Sequence, residues 1–163
     1  PSLAGITGGT ANGQTSVRVL TNNAAGYSMT LTASSSLGMI GNSQGGTIPA
    51  YIPSSGTTPD FTFAAPANTA RFGYTVEAST TDDLAQAFKD DGGACNTGSA
   101  DAVDSCWLNA STSAVTIINR TTETEASGST STIKFRAVIN SNPVPAIPQD
   151  TYVATTTLTA TTN

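Results

Sequence analysis

Ser131-Thr132-Ile133-Lys134-Phe135-Arg136-Ala137-Val138-Ile139-Asn140 alternates strictly. Ile133, Phe135, Ala137 and Ile139 fall on one face; Thr132, Lys134, Arg136 and Val138 fall on the other. Successive side chains of an extended chain point to opposite sides, so a strand with one face in a core and one in water reads this way. The stretch is therefore a half-buried β-strand, and the rest of the chain can be read against it.

The same period recurs on both sides. Tyr152, Ala154, Thr156, Leu158 and Ala160 form one row, opposed by Val153, Thr155, Thr157, Thr159 and Thr161, which predicts one long strand ending in a threonine ladder. Val17 and Val19 alternate with Ser16 and Arg18. After Asn22-Asn23-Ala24-Ala25-Gly26 come Tyr27, Met29, Leu31 and Ala33, a spacing that predicts a hairpin. Further strands are expected at 61–64, at 71–78 with Phe72, Tyr74 and Val76 inward, and at 114–119. Residues 47–52 contain Pro49, which lacks an N–H and belongs at a sheet edge.

Seven or eight short strands separated by Gly, Ser, Asn and Pro predict an all-β fold, an Ig-like antiparallel β-sandwich with Greek-key connections. One short helix is expected at 82–89, with Thr81 capping it, Asp82 and Asp83 at its positive end, Leu84, Ala87 and Phe88 on one face, and Gly92-Gly93 ending it. The length of 163 residues suits a single domain. Residues 14–163 form that domain in this reading, and the Gly-rich residues 1–13 form an arm whose sizeable apolar side chains are Leu3 and Ile6.

Charged residues make up only 10% of the chain, whereas Thr and Ser number 29 and 18. Neutral hydroxyls solvate this surface. A net charge of -5 without a basic cluster removes the footprint that nucleic acid requires. The absence of His excludes a Ser/His/Asp triad, a Cys/His dyad and His-containing zinc sites. No apolar run reaches the roughly 18 residues of a membrane span, and the first residues lack a signal-peptide pattern, so the chain reads as a mature, soluble product. No cofactor is expected.

Cys95 and Cys106 enclose a loop rich in Gly, Asn, Asp and Ser and read as a disulfide formed in an oxidising compartment. The acidic pairs Asp82/Asp83, Asp90/Asp91, Asp101/Asp104 and Glu123/Glu125 could in principle serve a glycosidase, but in helix ends and polar loops they read as solvated surface charge. Asp90, Asp91, Asp101 and Asp104 could gather around calcium, though without EF-hand spacing; a plain Gly-rich turn is the simpler reading. Trp107, beside Cys106, is expected to pack against the disulfide instead of stacking on a sugar. Lys134 falls opposite Ile133 and Phe135, on the solvent face, where an intramolecular amide crosslink lacks the desolvated amine it needs. Asn109-Ala110-Ser111 and Asn119-Arg120-Thr121 are N-glycosylation sequons.

Gly13-Gln14-Thr15-Ser16-Val17 leading to Gly26-Tyr27-Ser28-Met29-Thr30-Leu31, with Phe72-Gly73-Tyr74, Cys106-Trp107 and the ending Tyr152-Val153-Ala154-Thr155-Thr156-Thr157-Leu158-Thr159-Ala160, resembles secreted prokaryotic β-sandwich surface proteins. The layout is similar to spore coat protein U-like and other non-classical pilin subunits. That resemblance implies an Ig-like sandwich assembled outside the cell.

The expected function is thus structural, without enzymatic activity: a subunit of an extracellular, pilus-like filament or surface layer, whose partners are copies of itself joined by strand addition. Leu3 and Ile6 are the candidate donor-strand anchors. The competing expectation is an adhesin or carbohydrate-binding module using the loops around residues 90–107, with surface glycans as partners.

Overall fold

A computed structural model describes residues 8–163. Leu3 and Ile6 lie outside the described residues. Nine strands occur among the rest: β1 (Gly9–Val19), β2 (Tyr27–Ala33), β3 (Gly38–Gly41), β4 (Thr47–Pro49), β5 (Ala70–Ala78), β6 (Val115–Arg120), β7 (Ser129–Ile139), β8 (Tyr152–Val153) and β9 (Thr156–Thr162). They form three antiparallel sheets, ordered β1-β7-β5, β6-β2-β9 and β4-β3-β8. The protein is all-β, as the alternation predicts.

Strand β7, which contains the alternating residues 131–139, is the centre of its sheet. All 11 residues of β1 pair with β7, from Gly9 opposite Ile139 to Val19 opposite Ser129, and β5 pairs along the other side. Its inward row Ser129, Ser131, Ile133, Ala137 and Ile139 is buried, with Phe135 half-buried. Tyr27, Met29 and Leu31 of β2 and Ile117 and Ile118 of β6 join that row, with Phe72, Tyr74 and Val76 of β5, in one core. Ile133 is 0% exposed; fully burying an aliphatic side chain contributes about 1.5–3 kcal/mol. On the opposite face of β5, beside Arg136, position 73 takes only glycine, because a Cβ would stand 2.8 Å from the Leu108 carbonyl oxygen and 2.9 Å from Tyr51 Cβ.

The outer face of the second sheet is a grid of hydroxyls. Ser28, Thr30 and Thr32 on β2 stand opposite Thr161, Thr159 and Thr157 on β9, and Thr116 on β6 stands opposite Thr30. The β9 threonines of this row are exposed.

Several expectations are corrected. The turn before Tyr27 exists, with Gly26 N donating to Asn23 O at 2.9 Å, but β1 and β2 do not form a hairpin. The turn carries the chain from one sheet to the other, since alternation fixes which face is inward and leaves the partner open. In place of a helix at 82–89 there are two 3₁₀ turns, Thr81–Asp83 and Gln86–Phe88, and Thr80, not Thr81, is at the cap position without a side-chain bond. Leu84 and Ala85 between them are extended: Leu84 bridges Ile118, and Ala85 N donates to Ile117 O at 3.0 Å. An eight-residue helix is marginal, and pairing to β6 wins. Residues 61–64 are not a strand; only Asp60 bridges Trp107 there. The C-terminal stretch is two strands in different sheets, because the chain switches partner at Ala154 and Thr155, where Thr155 O accepts from Ser34 N at 2.9 Å. Tyr152, Ala154, Thr156 and Leu158 remain one half-buried row across the switch. Strand β1 also begins at Gly9, so residues 9–13 of the expected arm are paired into the sheet. Pro49 ends the short strand β4, paired on one side to β3, as expected of an edge.

Candidate functional site

The Cys95–Cys106 disulfide is present, with Cα atoms 5.6 Å apart. The loop it closes is organised around Asp90, which is fully buried and not the solvated charge expected. Its Oδ1 accepts from Gly92 N and its Oδ2 from Ala102 N, both at 2.8 Å, and its backbone pairs with Ala100 in both directions. Asp101 accepts from Ala78 N at 3.0 Å. Burial, with the neighbouring negative charges of Glu77 and Asp90, pushes its carboxyl above the usual range. These carboxylates hold backbone N–H groups, and among the described residues no set of three or more His, Cys, Asp or Glu side chains is placed to hold a metal ion.

Asp83 corrects the same expectation. It is buried, accepts from Arg120 Nη1 at 2.9 Å on each oxygen, and accepts from Ser129 Oγ at 2.6 Å. Asp82, Asp91, Asp104, Glu123 and Glu125 are exposed, as read from sequence.

Trp107 is buried, but its partners are aromatic and cationic. The Phe63 ring meets it edge-on at 5.2 Å, Tyr51 stacks on Phe63 at 4.6 Å, and the Arg136 guanidinium lies 4.3 Å above the indole. The indole N–H donates to Asp104 O at 2.8 Å. Arg136 closes the face that a sugar would need, so Trp107 offers no stacking platform. Around it lies a shallow cavity of about 250 Å³ lined by Asn12, Gln14, Asp104, Lys134 and Arg136. Lys134 is on the outer face, as expected, donating to Glu77 Oε1 at 2.6 Å and Asp104 Oδ1 at 3.1 Å. Those two acceptors outweigh partial burial and raise its pKa, which keeps the amine protonated and non-nucleophilic.

What remains is backbone. The outer side of β5 is covered where Leu108 pairs with Tyr74 and Ala50 with Phe72, and the outer side of β6 is met by Leu84 and Ala85. Strand β4 is short and carries proline, and β8 has two residues. In contrast, β1 pairs only with β7 and β9 only with β2, and among the described residues no strand, bridge or turn pairs with their outer margins. Neither strand contains Lys or Pro. The register of each is unbroken, so neither margin is blunted by a bulge. Half of the backbone N–H and C=O groups of an edge strand point away from its neighbour. Flanking these margins, Val17, Val19 and Leu158 are only partly buried against the core.

Of the sequons, Asn119 is exposed on β6 beside Ser28, and Asn109 is half-buried between buried Leu108 and Ala110. Sequence reading marked the C-terminal stretch as a long strand, and the structure leaves the outer margin of its β9 part without a partner among the described residues. The same reading missed β1, whose signal was eleven residues without Lys or Pro. No protein-family model, curated protein or solved structure matches the chain.

Proposed function

We propose that this protein is a structural subunit of an extracellular filament or surface layer, whose copies add to one another by β-strand pairing. The observation that carries the reading is the pair of margins on β1 and β9 that no Lys, Pro or bulge interrupts, in a molecule whose buried carboxylates Asp83 and Asp90 are engaged in structural bonds. Unsatisfied backbone groups in a row bind what an extended chain supplies, and alternate side chains then join the adjoining core. The disulfide and the sparsely charged, hydroxyl-rich surface suit an oxidising exterior. Copies of the chain are the partners in this reading.

The test is sedimentation and negative-stain microscopy of the concentrated protein, and of material taken from the cell surface. Regular assemblies are expected, and they shrink when Ser16→Pro or Ala160→Pro, each at a position whose N–H faces away from its neighbouring strand, interrupts a margin. A particle that stays monomeric at every concentration sinks the proposal.

A further inference from the structure

We infer that β1 pairs with β1 of a second copy, antiparallel, about a two-fold axis at Gln14, fusing two three-stranded sheets into one of six strands. The inference deepens the strand-pairing reading and rests on it. Its warrant is the order of side chains along the strand. Residues 9, 11, 13, 15, 17 and 19 share the inward face, since they stand opposite the inward residues of β7. Self-pairing about Gln14 sets odd residues against odd ones, so the inward rows of both copies stay on one side of the joined sheet. Displacing one strand by a single residue would set inward rows against outward ones.

The inward row is also graded in size. Gly9 and Ala11 are small, whereas Val17 and Val19 are branched and half-buried. About Gln14, Val19 meets Gly9 of the second copy, Val17 meets its Ala11, and Thr15 meets its Gly13. Each large side chain faces a small one, and a Cβ at Gly13 would meet nothing within 4 Å, so there is room.

The outward row pairs Arg18 with Thr10 and Asn12 with Ser16, and Gln14 meets its own copy, where two amides can exchange hydrogen bonds. No like charges stand opposite one another. Lys134 and Arg136, one strand in, are each paired to carboxylates within their own copy. All eleven residues of β1 take part, against seven in β9. Longer pairing satisfies more backbone groups, and this makes β1 the primary margin.

Cysteine crosslinking tests the register. Opposite residues of an antiparallel pair lie roughly 4.5–5.5 Å apart, within reach of a disulfide after small adjustment. Gln14→Cys is expected to form a covalent dimer on mild oxidation, Thr10→Cys alone is not, and the double variant Thr10→Cys/Arg18→Cys is. All three side chains are exposed, so the fold is spared. Failure of Gln14→Cys to crosslink, or equal crosslinking of Thr10→Cys, overturns the inference. Sedimentation of the unmodified chain in parallel separates the two proposals. Large particles without a Gln14→Cys crosslink remove this register and leave strand pairing standing, whereas a crosslinked dimer that grows no further keeps the register and removes the filament.

Discussion

Arg120 Nη1 donates to both carboxylate oxygens of Asp83, each at 2.9 Å, and so ties the end of β6 to the turn that leaves β5. The pair is enclosed, with side-chain exposures of 11% and 4%, and Ser129 of β7 adds a third strand to the knot. Removing one member strands the other. Asp83→Ala is therefore expected to cost about 3–5 kcal/mol, whereas an apolar replacement of both, Asp83→Leu with Arg120→Met, recovers most of it. Urea denaturation measures both; a loss below about 1 kcal/mol for the single variant removes the knot from the account.

Trp107 is the one tryptophan, so its emission reports on the lid above it. Arg136→Ala removes the guanidinium from the indole face, and the expected result is a red-shifted emission with faster acrylamide quenching. The stability cost is expected to be about 1 kcal/mol. Unchanged quenching would mean that the neighbouring loop, not Arg136, covers the ring.

All four tyrosines are held above their ordinary phenol value, first by burial. Tyr51 is pushed up to about 12, with the hydrogen bond to Asp60 at 2.6 Å adding to the burial. A raised folded pKa means stability fully present below the unfolded value of about 10 and lost as pH climbs toward the folded one. Alkaline unfolding beginning near that unfolded value is the expected outcome, followed by absorbance titration of the phenols. Four phenols that titrate normally in the native protein contradict it. Tyr74 has no hydrogen-bond partner for its hydroxyl. Tyr74→Phe is accordingly expected to be neutral or to stabilise by about 1 kcal/mol.

Asp150 acts at the acid end. Its Oδ2 accepts from Gln44 N at 2.7 Å and Ser43 N at 2.8 Å, pinning the β3–β4 turn to the chain entering β8. Those bonds hold its carboxyl below the usual range. A depressed folded pKa gives stability present above the unfolded value and lost as pH falls through the folded one. Asp150→Asn should lower the melting temperature at neutral pH, and the gap from the parent protein should close on acidification. A gap that persists at low pH would place the effect elsewhere.

The legible part of this fold was its faces. Alternation assigned Ile133, Tyr74, Met29 and Leu158 to their sides, because inside and outside are local properties of an extended chain. Partners were not legible. Val17 and Met29 have equally good strand patterns, and nothing between them says that one pairs with Ser131 and the other with Ala160. The misread helix has the same origin: Leu84, Ala87 and Phe88 suit a helical face, but the margin of β6 claimed Leu84. Burial of Asp83 and Asp90 was equally hidden, since their partners lie 37 and 12 residues away in Arg120 and Ala102. The margin of β1 was obscured because Gly9 and Gly13 read as part of a loose arm.

The Ser28, Thr30, Thr32, Thr157, Thr159 and Thr161 panel holds no ionisable side chain. Acid or alkali that resets the charge elsewhere on this acidic molecule leaves the charge of that panel at zero. Contacts made there depend on methyls and hydroxyls alone, so they do not titrate, while the carboxylates and amines elsewhere on the exterior do.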